Sequence, residues 1–144
     1  MADLKLTSEE VAMIRFQINA NAKASERFKR LSVIAWRDAA IVSLLLQGLK
    51  SKEITELRLA DLSFSGLVVN PRLGSRRLVR LEDTTRLCLD KYLDGVMPQE
   101  RAVLFLSQRG KMLNVRTVER MISKLGDQLE LELVPSLLTN SADD

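Results

Sequence analysis

Histidine is missing altogether from this 144-residue chain, and cysteine and tyrosine occur once each. Without histidine there is no imidazole general base, no Ser-His or Cys-His dyad, and no ordinary zinc site, because one cysteine cannot supply the remaining ligands. Catalysis would have to run on Lys, Arg, Asp, Glu or Tyr. The lone Cys88 excludes an internal disulfide, fits a reducing cytoplasm, and reads as a small apolar residue of a helix. Long apolar runs are also missing. The longest, Ala39 to Leu46, contains a serine and falls far short of the ~20 residues a membrane span requires. The opening "MADLKL" has no apolar h-region, so no signal peptide and no membrane partner are expected.

What is present is a globular composition, with 46% apolar and 28% charged residues and no polar low-complexity tract. At this length one domain with one core is expected, burying roughly 68–70% of the unfolded surface. A net charge of +3 and a pI near 9.2 are compatible with nucleic acid without being diagnostic of it.

Local signals order the chain. In "LTSEEVAMIRFQI", Thr7 and Glu10 form a capping box ahead of apolar Val11, Ile14 and Ile18, which predicts a first helix. A second runs from Leu31 to Leu49, stopped by Gly48, and Ser51 caps a short third. The period then changes: "SFSGLVVN" and "RRLVRL", separated by "PRLGS", predict a hairpin from Phe64 to Leu81. A helix follows from Glu82 to about Val96, with Tyr92 as a half-buried packing residue. "VLFLSQRGKML" reads as a strand with a turn at Arg109-Gly110-Lys111, and Asn114 caps a last helix to about Leu131. The fold class expected is α+β, mainly α, with a small antiparallel sheet.

The strings "LTSEEV", "RDAAIVSLLLQGLKSKEITELRLADL", the hairpin, "LDKYL" and "LFLSQRGKMLNVRTVERMISKLG" together resemble, in order and spacing, the catalytic domain of tyrosine recombinases, the phage integrase family. The resemblance implies a mainly helical fold edging a DNA-binding cleft, residues 1–144 forming one truncated domain of that kind, and a DNA substrate. It calls for no cofactor and no metal.

The family places an arginine after the Gly-Leu of "QGLKSKE", where its guanidinium holds the scissile phosphate; here that position is Lys50. A lysine neutralises a phosphate as a point charge but offers no planar fork of donors. Glu53 matches a family glutamate that orients this corner. No lysine lies between Lys52 and Lys91 to match the hairpin lysine of the family, and arginine is too weak an acid to replace it comfortably. In "LVPSLLTN" the histidine and second arginine of the family are replaced by Ser136 and Thr139. The nucleophilic tyrosine would fall beyond the sequence given, so strand cleavage by this polypeptide alone is not expected. Truncation would not replace the residues at positions 50, 136 and 139, so a retained scaffold with lost chemistry is expected; a decaying gene product has the same signature.

Charge pattern supplies the remaining candidates. Arg72, Arg76, Arg77 and Arg80 lie in nine residues without an acid, either as a cationic ridge for phosphates or as a solvated edge strand that resists aggregation. Asn114 and Arg116 open the last helix, where the resemblance implies contact with the major groove and the plain reading is a capped helix start. Lys23, Arg27, Lys29, Arg30 and Arg37 line the same cleft or are ordinary surface. Residues 132–144 read as a flexible acidic tail that solubilises the chain or lies over the cleft. The function expected is that of a catalytically inactive, recombinase-like DNA-binding protein, an accessory or regulatory factor of a mobile element, cytoplasmic and nucleoid-associated if bacterial. The alternatives are a protein-interaction module that binds an active recombinase or another partner without binding DNA, and an enzyme completed by another subunit; self-association is a further candidate partnership.

Overall fold

A computed structural model describes residues 5–69, 76–96 and 103–142. Helix α1 (Ser8–Ala24) starts at the expected capping box: Glu10 N–H donates to Thr7 Oγ1 at 3.1 Å, and Thr7 N–H donates to Glu10 Oε1 at 2.8 Å. Its Ile14, Ile18 and Ala22, spaced four apart, face inward. Helix α2 (Lys29–Leu46) is the central element. From Ala39 to Leu46 every residue is buried, because α1, α4 (Asp83–Asp94) and α6 (Pro135–Asn140) all pack around it. It ends where Gly48 takes φ +102°, a conformation other residues rarely adopt.

Ser51 is not the cap of α3 (Ser51–Thr55) but its first residue. The cap position belongs to Lys50, because Glu53 reaches back one turn and accepts the Lys50 N–H at 2.9 Å. A 3₁₀ turn at Leu59–Asp61 then leads into β1 (Leu62–Ser63), β2 (Gly66–Val69) and β3 (Arg77–Val79), an antiparallel sheet in that order. The predicted hairpin is thus β2–β3, extended by a short third strand, with Phe64 and Ser65 in a turn rather than a strand. Leu67 pairs with Val79, Val68 with Leu78, and Val69 with Arg77. Leu67 and Val69 are buried, so strand alternation sets Arg77 and Val79 on the inward face and Leu78 on the outward one.

Gln47 joins the sheet to α4. Its Nε2 donates to Arg80 O at 2.7 Å, while its Oε1 accepts Glu82 N–H at 3.1 Å and Thr85 Oγ1–H at 2.7 Å. The strand predicted at "VLFLSQRGKML" does not form. Only single bridges occur, Arg58 with Val103 and Leu106 with Met112. The physical reason is Tyr92, whose hydroxyl donates to Leu104 O at 3.1 Å and accepts Leu106 N–H at 2.9 Å. A side chain therefore takes part of a neighbouring strand's place, while Leu104 N–H is held by Leu57 O at 2.8 Å. Tyr92 is accordingly 1% exposed, not half-buried.

Helix α5 (Val115–Leu129) is capped by Asn114 as expected and stops at Glu130, which adopts the left-handed conformation with φ 57°. The flexible tail expected from residue 132 is not found through Ala142. Leu133 and Leu138 are buried, α6 packs on α2 and α5, and Leu6 N–H donates to Ser141 Oγ at 2.8 Å. The apolar residues of "LVPSLL" outweigh the acidity on which that expectation rested. The result is the mainly helical α+β class, and no helix among the described residues is long and apolar enough to cross a membrane.

Candidate nucleic-acid interface

The turn out of α2 buries Leu49 and exposes Lys50. One turn later, Glu53 takes the guanidinium of Arg77 from β3 with both oxygens, Nη1 donating to Oε2 at 3.0 Å and Nη2 to Oε1 at 3.1 Å. From the other side, Thr139 of α6 donates from Oγ1 to Leu49 O at 2.7 Å, with Pro135 O also within 3.2 Å. Lys50 with Glu53, Arg77, and Thr139, from three distant parts of the sequence, meet at one corner. Ser136 lies exposed on the same short helix as Thr139.

The electrostatics of this corner centre on Glu53, whose side chain is 10% exposed. That burial works to raise its pKa, but the hydrogen bonds from Arg77 and the Lys50 N–H, with the charges of both cations, prevail and hold the carboxyl below its usual range. Hydrogen bonding to Glu53 in turn raises Arg77. Glu53 is therefore an anion at neutral pH, and the corner carries two cations against one anion. The Lys50 side chain makes no hydrogen bond or ion pair among the described residues.

The described hairpin arginines do not act as one ridge. Arg77 turns inward to Glu53, whereas Arg76 and Arg80 flank β3 and fall on the outward side with Leu78 by strand alternation, both exposed. Arg72 lies outside the described residues. The second basic cluster also divides. Lys23, Arg27, Lys29 and Arg30 are exposed, but Arg37 is buried in α2, bonded to Asp38 Oδ1 from Nε at 3.0 Å and Nη2 at 2.8 Å, and to Leu106 O from Nη1 at 3.1 Å. It is a structural cation, held by these bonds, although its side chain also reaches the wall of a pocket that exposed Arg30 shares. Burial pushes Asp38 up, against the opposing pull of Arg37 and Lys124.

At the start of α5, Asn114 Oδ1 accepts Thr117 N–H at 2.9 Å and lies 3.2 Å from Thr117 Oγ1, so this oxygen is committed to capping. Arg116 is exposed beside it. Sequence reasoning missed Arg120 and Lys124, which are exposed and continue from Arg116 at intervals of four, forming a basic stripe two turns long. That spacing was the available signal.

A family model described as "Phage integrase family" matches residues 12–140. Among curated relatives, tyrosine recombinase XerC of Pseudomonas syringae pv. tomato is 36% identical over 115 residues, covering 75% of this chain and 38% of its own. Tyrosine recombinase XerA of Saccharolobus solfataricus is 28% identical over 142 residues, covering 95% and 43%. The solved structure of XerH site-specific recombinase bound to difH substrate superposes with a TM-score of 0.75 at 17% identity, over 96% of this chain and 41% of that one. The chain thus spans less than half the length of the curated relatives it matches. With the model covering nearly all of the sequence, the chain belongs to the phage integrase family.

Proposed function

We propose that this chain binds duplex DNA and does not itself cleave it, acting as an accessory or regulatory factor of a mobile genetic element. The observation that carries the reading is the corner at Lys50, where an exposed ammonium and a partly exposed guanidinium flank one ionised carboxylate. A net positive corner beside the exposed stripe Arg116, Arg120 and Lys124 suits a polyanion. The structurally similar XerH site-specific recombinase, in its solved structure, is bound to difH substrate.

The non-cleaving half of the proposal rests on residues present in the chain. Lys50 has no fork to clamp a phosphate. Thr139 carries no charge, and its hydroxyl is used on Leu49 O. Ser136 cannot act as an acid near neutral pH. Tyr92, the single tyrosine, is buried with its hydroxyl in two backbone hydrogen bonds. A gel-shift assay at physiological salt, paired with a nicked suicide duplex, tests both halves. The expected outcome is a retarded complex and no adduct that survives denaturation. An adduct would overturn the non-cleaving reading. Absence of any complex would overturn DNA binding in favour of a protein-interaction module.

A further inference from the structure

We infer that Arg77 supplies, from β3, the guanidinium that the Lys50 corner needs to grip a DNA phosphodiester, so that the two side chains form one split phosphate site with Glu53 as its brace. The inference rests on the DNA-binding reading above and goes further by assigning the site and the division of labour within it.

Several observations converge. Arg77 is a hairpin arginine on the inward face of the sheet, and it meets the same carboxylate that accepts the Lys50 N–H. Lys50 also acts on that carboxylate through its charge, so both cations bear on one carboxylate. A guanidinium has five N–H donors, of which Glu53 takes two. The remainder have no partner among the described residues, and the side chain is 42% exposed. Arg77 is therefore oriented on one edge and open on the other, a lower-entropy presentation than a free surface arginine. Glu53 neutralises only one of the two cations, so a phosphate entering at the open edge completes the charge balance instead of competing for an already neutral pair. A lone Lys50 supplies charge without a planar fork, and Arg77 supplies the fork.

The test measures affinity for a fluorescein-labelled random-sequence duplex as a function of salt, using the whole chain as wild type, Arg77→Ala and Arg77→Lys, with thermal melting of each to verify folding. Arg77→Ala should weaken binding and flatten the slope of log affinity against log salt by about 0.9 for one lost phosphate contact. Arg77→Lys should keep the wild-type slope yet bind several-fold more weakly, because the charge stays and the fork is gone. An Arg77→Lys chain equal to wild type in affinity overturns the guanidinium role. An Arg77→Ala chain that is folded and unchanged in slope overturns the site, leaving DNA binding to the α5 stripe. If Arg77→Ala fails to fold, the Arg77→Lys comparison decides alone. A wild-type chain that binds no duplex overturns both this site and the reading beneath it.

Discussion

Thr139 Oγ1 donates to the carbonyl of Leu49 at 2.7 Å, tying the last helix to the turn that presents Lys50. Leu49 is fully buried, so its carbonyl has little access to water if that hydroxyl is removed. Thr139→Val keeps the shape and removes the donor, leaving the acceptor unpaired, and should cost about 1–3 kcal/mol. Thr139→Ser should retain most of the stability. Urea unfolding of the three proteins is the measurement, and equal midpoints would show that this bond does not hold α6 in place.

The same accounting applies to Tyr92. Tyr92→Phe preserves the packing against Phe105, whose ring centroid lies 5.5 Å away, but strips Leu106 N–H of its acceptor. A loss of about 1–3 kcal/mol is expected, with faster amide exchange confined to residues 104–106. On a nicked duplex the variant and wild type should be alike in forming no covalent adduct.

Signals that act within a few residues were legible in the sequence: the Thr7–Glu10 box, the stop at Gly48 and the Asn114 cap were each read correctly because their partners lie within one helical turn. What depends on tertiary register was not. Whether Arg77 faces inward is decided by its pairing with Val69, and a slip of one residue would have presented Arg76 instead. Arg37 reads as cleft lining or surface because its charge outweighs its position in a local reading. It is buried because α2 is enclosed on several sides. The segment 103–106 looks like a strand by composition, yet beyond one bridge to the 57–58 backbone its partner is a side chain from α4, which no local pattern announces.

Glu53 gives the corner a pH dependence with a definite sign. Its folded-state pKa lies below the ordinary value, so the stabilisation is fully present above the unfolded value of about 4.3 and is lost as pH falls through the lower, folded value. Glu53→Gln should therefore melt below wild type near neutral pH, and the gap should close progressively below about pH 5. Arg77 is substantially exposed, which keeps the effect small. Melting temperatures from pH 7 to pH 3 would reveal it, and a gap that widened in acid would reverse the assignment.

Glu130 occupies the left-handed region at φ 57°, where it ends α5 with Leu131 N–H donating to Gly126 O at 2.9 Å. Left-handed backbone costs an ordinary residue roughly 1–2 kcal/mol, and glycine avoids much of that cost. Glu130→Gly should leave the protein as stable or more stable by up to about 1 kcal/mol. Gly126→Ala should do the reverse, because a Cβ there would come within 2.5 Å of Leu131 O. Paired thermal melts check both, and a destabilised Glu130→Gly would mean that the Glu130 side chain makes a contact worth more than the backbone strain.

On the proposed DNA-binding reading, the stripe on α5 should separate recognition from attraction. Arg116 stands exposed at the first turn, next to a cap oxygen already committed to Thr117, so its guanidinium is free to present two donors to a guanine edge, a contact worth about 1–3 kcal/mol of discrimination. Arg120 and Lys124 lie one and two turns further along, and along a groove-entering helix such positions reach the sugar-phosphate backbone more readily than base edges. Arg116→Ala should therefore relax sequence preference at one position of a selected site while leaving affinity for random duplex nearly intact. Arg120→Ala and Lys124→Ala should weaken every duplex alike, each flattening the salt slope by about 0.9. Selection from a randomised duplex pool, followed by salt titrations on the selected and scrambled sites, gives both readouts. If Arg116→Ala weakens all sequences equally, direct readout by this helix is wrong, and Arg116 joins Arg120 and Lys124 as a phosphate contact. Asn114→Ala is the poorer probe, since losing the cap costs about 0.5–2 kcal/mol of stability and confounds binding with folding.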